Sequence, residues 1–182
     1  MNNIAVVYQT HYGTTLKYAE WIAESLDADL LNRKKVSVSD LSQYDMIIYG
    51  GGLYAGSILG VDLVSKSKFK HLVIFTVGLA DPKIMNYSEI MAKGFPNQAY
   101  QPNQVYHFRW GIDYQKLSFL HRGLMALLKK TVEKKSDSEM SAEGKAILET
   151  NGEKVDFTDK KMISPLISYV KNVKLWKYFA NH

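Results

Sequence analysis

Ile4-Ala5-Val6-Val7-Tyr8-Gln9-Thr10-His11-Tyr12-Gly13-Thr14-Thr15 decides how this chain reads. Residues 4–8 are apolar and β-branched in character, the pattern of a strand buried on both faces. Thr10–Thr15 is a short run of hydroxyl-bearing and small residues. It leads into an amphipathic helix whose Leu16, Ala19, Ile22, Ala23 and Leu26 fall on one face. A strand, a tight polar turn and a helix start together make an anion site. The turn's N–H groups point inward, and the helix end carries about half a positive charge. Thr10, Thr14 and Thr15 add hydroxyl donors, and Gly13 permits close backbone approach. His11 lies in the turn, where it contacts the anion or stands in solvent. No Lys or Arg falls within 10–15, which favours a phosphate held by neutral donors over a triphosphate held by a P-loop lysine. The Walker pattern and G-x-G-x-x-G are both absent.

The chain has 182 residues, 46% hydrophobic and 23% charged, which suits one globular domain spanning 1–182. It contains no cysteine, so disulfides, thiolate metal sites and thiol catalysis are excluded, and a reducing compartment is expected. No basic leader precedes Ile4 and no apolar run approaches the ~20 residues of a membrane span. The net charge of +5 is segregated. Residues 114–135 hold six Lys/Arg against one Glu, and residues 160–182 hold five Lys and no acid. An acidic body therefore carries two basic appendages, which reads as a local surface more than as a nucleic-acid footprint.

Further along, Asp29–Asn32 reads as a second strand and Asp45–Gly50 as a third. Gly50–Ser57 reads as a glycine-dense loop, with a helix over Ile58–Ser67. His71–Gly78 is a fourth strand, Asn86–Gly94 a helix and Gln104–Trp110 a fifth strand. Alternating strands and helices imply right-handed βαβ units and a parallel sheet. The alternation then breaks. A helix over Lys116–Lys134 carries the stripe Leu117, Leu120, Leu124, Leu127, Leu128 and Thr131, opposite Arg122, Lys129, Lys130 and Glu133. Residues 136–144 read as a linker, Asn151-Gly152 as a turn, and Thr158-Asp159 as the cap of a last helix in which Pro165 kinks or restarts the chain.

Thr10-x-x-Gly13-x-Thr15 directly after the first strand resembles the phosphate loop of the flavodoxins. The Thr-Gly-Asn-Thr form common there is Tyr12-Gly13-Thr14-Thr15 here, so the usual Asn is missing. The resemblance implies a flavodoxin-like three-layer α/β sandwich. Its five-stranded parallel sheet would run in the order 2-1-3-4-5, with a helical insertion after the fifth strand at about 111–157. It also implies FMN bound without a covalent link and redox chemistry at the flavin. Trp110-Gly111-Ile112-Asp113-Tyr114, leading into the basic helix, is similar in character to an insertion in the flavodoxin-like protoporphyrinogen oxidases, which use menaquinone.

Ligands of open parallel sheets bind beyond the carboxyl ends of the strands. Those ends are Thr10–Thr15, Gly51–Ser57, Gly78–Asp81 and Trp110–Tyr114. The resemblance places Gly51, Gly52, Leu53, Tyr54, Ala55 and Gly56 in a loop over the flavin, with Tyr54 as the ring neighbour and Tyr12, Tyr87 and Trp110 as lesser ones. Gly78, Leu79, Ala80 and Asp81 complete the candidate site. Asp81 either bonds ribityl hydroxyls or serves as a plain turn residue before Pro82. No covalent catalyst and no metal site are expected, since no His has a carboxylate at ligand spacing. The expected partners are a redox protein or a quinone, without nucleic acid. The expected location is the cytoplasm, with the basic appendages pointing to the inner membrane face. Rival readings are a soluble electron carrier, an NADPH-dependent flavin or quinone reductase, and a basic surface-binding or receiver-like module. The receiver reading lacks its acidic cluster after the first strand.

Overall fold

The computed structural model describes residues 3–54, 56–97, 100–113, 119–134, 136, 139–150 and 154–180. Strands β1 (Ile4–Gln9), β2 (Asp29–Asn32), β3 (Met46–Tyr54), β5 (His71–Gly78) and β6 (Gln104–Arg109) form a parallel sheet in the order β2-β1-β3-β5-β6. Counting the parallel strands alone, this is the expected 2-1-3-4-5. The short β4 (Ser57–Ile58) folds back antiparallel on the end of β3.

Alternate residues of the buried strands feed two cores. On one face Val6, Ile48, Val73, Phe75 and Phe108 pack against Tyr18, Ala19 and Ile22 of α1 (Thr14–Leu26). Leu166 and Val170 of α7 (Ser164–Ala180) join them. On the other face Val7, Ile47, Tyr49 and Ile74 meet three helices. These are α2 (Val38–Leu41), α3 (Asp62–Ser65) and α4 (Tyr87–Gly94), which contribute Leu41, Leu63, Val64 and Ile90. Each large side chain so buried stabilises the fold by up to about 1.5–3 kcal/mol. The Tyr18 hydroxyl donates to the Arg109 carbonyl at 2.8 Å, tying α1 to the end of β6.

Two readings of the middle of the chain change. Gly50, Gly51 and Gly52 are not a loop. They lie inside β3, with Gly51 paired to both Gln9 and Thr76. A Cβ on Gly50 would stand 2.0 Å from the Phe75 ring, and one on Gly51 would stand 2.8 Å from the Leu59 carbonyl oxygen. The glycines let neighbouring chain lie directly on the strand. The expected helix over Ile58–Ser67 shrinks to α3, because Gly60 turns left-handed at φ +69° and starts it late.

The expected insertion is present. It comprises β7 (Gly111–Asp113), α5 (Phe119–Glu133), α6 (Ala142–Glu149) and β8 (Lys154–Asp156). Strands β7 and β8 pair antiparallel and bring its two ends side by side. Helix α6 starts inside the stretch read as a linker, because the Ser141 hydroxyl accepts the Gly144 N–H at 3.1 Å. The Asn151-Gly152 turn lies outside the described residues. Asp159 caps a 3-10 turn over Lys160–Ile163, and Pro165 falls in the first turn of α7, where its missing N–H costs nothing.

Candidate functional site

The carboxyl end of β1 runs into a turn held by its own side chain. The Gly13 N–H donates to Thr10 Oγ1 at 2.9 Å, and Gly13 takes the left-handed conformation at φ +89°. Nothing lies within 4 Å of where a Gly13 Cβ would be, so open space faces this turn. Helix α1 then starts with no side-chain cap and no acidic residue in its first turn. Its free N–H groups and dipole therefore face outward uncompensated, at the place where the sequence reading expects a phosphate. Thr15 is buried and Thr14 is half-buried at the rim.

Four rings gather over this turn from three strand ends. The His11 and Tyr54 rings meet edge-on with centroids 5.3 Å apart. Trp110 lies 6.3 Å from the rings of both Tyr12 and Tyr54. Burial pushes the Tyr54 phenol up to about 12, with Tyr12 adding to the shift, so it stays a neutral donor across the physiological range. The Trp110 Nε1 is buried with no hydrogen-bond partner among the described residues.

The remaining expected site residues divide. Leu53 points away into the opposite core, and Gly56, at φ +73°, faces the Lys93 ammonium. Ala55 lies outside the described residues. At the end of β5 the Gly78 carbonyl accepts the Trp110 N–H at 2.8 Å. Leu79 and Ala80 are fully buried, and Leu79 packs with Ala146 and Ile147 of α6. The insertion therefore closes over this loop. Asp81 acts as a turn cap, its Oδ1 accepting the Lys83 N–H at 2.9 Å. The structure thus brings His11, Tyr12, Tyr54 and Trp110 together, while Gly51 and Gly52 lie within β3, Gly51 paired to Gln9.

Sequence reasoning missed a cleft of about 490 Å³ between the β3–β4 hairpin, the Ile84–Ile90 segment and the Glu139–Ala142 segment of the insertion. Residues 140 and 84 meet only through the tertiary fold, so no local pattern marks this cleft. Among the described residues no group of three His, Asp or Glu could hold a metal ion. No described helix is long and apolar enough to cross a membrane.

An uncharacterized protein of Methanocaldococcus jannaschii is 35% identical over 94 residues, covering 48% of this chain and 63% of that protein's length. Flavodoxin 2 of Bacillus cereus superposes with a TM-score of 0.46 at 20% identity, over 58% of this chain and 83% of its own. Megasphaera elsdenii flavodoxin gives 0.45 at 17% identity, over 57% and 84%. The flavodoxin domain model matches residues 5–139, from the first strand through the basic helix of the insertion. By that match, and with the strand order described above, the chain belongs to the flavodoxin domain family.

Proposed function

We propose that this protein binds FMN without a covalent link at the carboxyl ends of β1, β3 and β6, and acts as a flavin-dependent redox protein. One observation carries the reading: the uncapped, acid-free start of α1, reached through the left-handed Gly13 and open to space. The residues present suit the group. Backbone N–H groups of the first turn, with the Thr14 and Thr15 hydroxyls, would hold the phosphate. His11, Tyr12, Tyr54 and Trp110 would border the ring. The bound flavin would supply one- or two-electron transfer. The protein's part is to bind and orient it, and to exclude water with the aromatic wall.

The finer reading is a quinone-linked oxidase or dehydrogenase of the protoporphyrinogen oxidase type. It is supported by the cleft between the insertion and the β3–β4 hairpin, a space of small-ligand size. The electron partner is then a quinone, and otherwise a redox protein. The exposed Phe119 and Leu127 of α5, set among cations, support a peripheral position on an anionic membrane surface. The absorption spectrum of the purified protein, with chromatography of released cofactor, tests the central reading. FMN is the expected product. Recovery of FAD, or no flavin uptake by refolded apoprotein, would sink it.

A further inference from the structure

The insertion and the body of the molecule leave a cleft of about 490 Å³ between them. That is the size of a small-ligand site. Much of its lining is apolar and uncovered. Met85 and Met140 are half-buried along it, and Ile84 stands 60% exposed. Thioether side chains adapt their shape and make favourable contacts with aromatic rings. The cleft's charge runs against that of the chain. The chain carries +5 overall, yet residues 53–56, 84–90 and 139–142, which supply the walls, hold Glu89 and Glu139 and no Lys or Arg. Lys93 approaches the hairpin at Gly56, its Nζ 3.0 Å from where a Gly56 Cβ would stand, and is not among the residues that line the cleft.

The other polar side chains on these walls are engaged as helix caps. Asn86 Oδ1 accepts the Ser88 N–H at 3.0 Å, and Ser141 Oγ accepts the Gly144 N–H at 3.1 Å. Glu139 is held in place, its Oε2 accepting the Ser136 N–H at 3.2 Å and the Ser136 hydroxyl at 2.9 Å. Two carboxylates therefore set the charge that a ligand meets. A neutral apolar ligand covering the cleft would strip water from both and return nothing, and an anion would be repelled. A cation restores what the lost water supplied. We propose that this cleft binds an aromatic, apolar molecule carrying a cationic nitrogen, and that Glu89 and Glu139 turn carboxylate-bearing molecules away. The proposal rests on the reading above that this cleft takes a small-molecule substrate, and it narrows that substrate's chemistry.

The test follows the assigned ¹³C-methyl signals of Met85 and Met140 in the full chain as purified. Three probes of similar size are titrated: benzyltrimethylammonium, neutral N,N-dimethylbenzamide and anionic benzylsulfonate. The cation should move both signals to saturation, with a dissociation constant lower than the amide's by about threefold or more, and benzylsulfonate should leave them unmoved. Glu89→Gln and Glu139→Gln should each weaken the cation about three- to fivefold, the reach of an exposed ion pair, and leave the amide unchanged. Amide or benzylsulfonate binding as tightly as the cation overturns the charge selection and leaves the cleft a ligand site. Variants that hold the cation as tightly as wild type overturn it too. Signals unmoved by all three probes remove the cleft reading, and the proposal with it. Absence of FMN from the purified chain removes the flavin reading alone.

Discussion

At the scale of single residues, the Thr10–Thr15 turn proposed to hold the phosphate depends on which donors are already engaged. The Gly13 N–H is taken by Thr10, whereas no side chain caps the first turn of α1. A hydrogen bond to a charged phosphate is worth about 1.5–3 kcal/mol, and riboflavin lacks the phosphate. Thr14→Val should therefore raise the FMN dissociation constant about tenfold or more and leave that of riboflavin nearly unchanged, as read by flavin fluorescence titration. Equal losses for both ligands would place Thr14 away from the phosphate. This turn was legible in the sequence because its geometry is local, six consecutive residues between a strand and a helix. The seating of Trp110 against Leu79, Ala146 and Ile147 was not, because those contacts come from residues far away in the chain.

At the scale of elements, composition misled where packing overrides propensity. Three glycines in a row read as a loop because glycine suits turns. Here they are strand, because Phe75 and Leu59 occupy the space their side chains would fill. A Val at Gly51 should consequently disturb the sheet before it disturbs any ligand. The β7–β8 ribbon left no periodic signal at all, being two three-residue strands separated by the whole insertion. The described members of the α5 stripe do not form a buried face. Leu127 is 62% exposed and Phe119 is 88% exposed, with the Arg122 guanidinium 4.9 Å from the centre of the Phe119 ring. Exposed Lys130 shares the helix, and exposed Lys134 follows its end. Apolar side chains among cations suit an anionic lipid surface, where each lysine adds on the order of 1 kcal/mol. The protein should sediment with anionic vesicles at low salt and not with neutral ones, and the paired change Phe119→Ser and Leu127→Ser should release it. Absence from both pellets would leave this face for a protein partner.

At the scale of the whole molecule, the sheet contains a titratable group that ties its stability to pH. His107 lies buried in β6, paired with Thr76 of β5, its Nδ1 2.7 Å from Thr76 Oγ1. Burial pulls its pKa down to about 4, with the Arg109 charge adding to the effect and the Ala80 carbonyl opposing it. The unfolded chain takes up this proton near pH 6.5. Stability from the neutral imidazole is thus fully present above that value. It is lost as pH falls toward 4, because the unfolded state then binds the proton and the native state does not. The loss approaches about 3 kcal/mol at its limit. Urea unfolding at pH 7 and pH 4.5 should show wild type losing more stability than His107→Asn over that interval. Parallel losses in the two proteins would mean that other groups carry the acid sensitivity.

The β7–β8 ribbon has a consequence for how such a chain can change over time. It fastens residue 111 opposite residue 156, so everything between them leaves and re-enters the sandwich at one doorway. The closure entropy of such an excursion rises only with the logarithm of its length, about 0.6 kcal/mol for each doubling. Residues could be gained or lost inside it with little effect on the register of β6 or the docking of α7 beside α1. The clasp thus divides the molecule into a scaffold that tolerates little editing and an excursion free to be rewritten, and the rewritable part is the one that packs over the loop after β5.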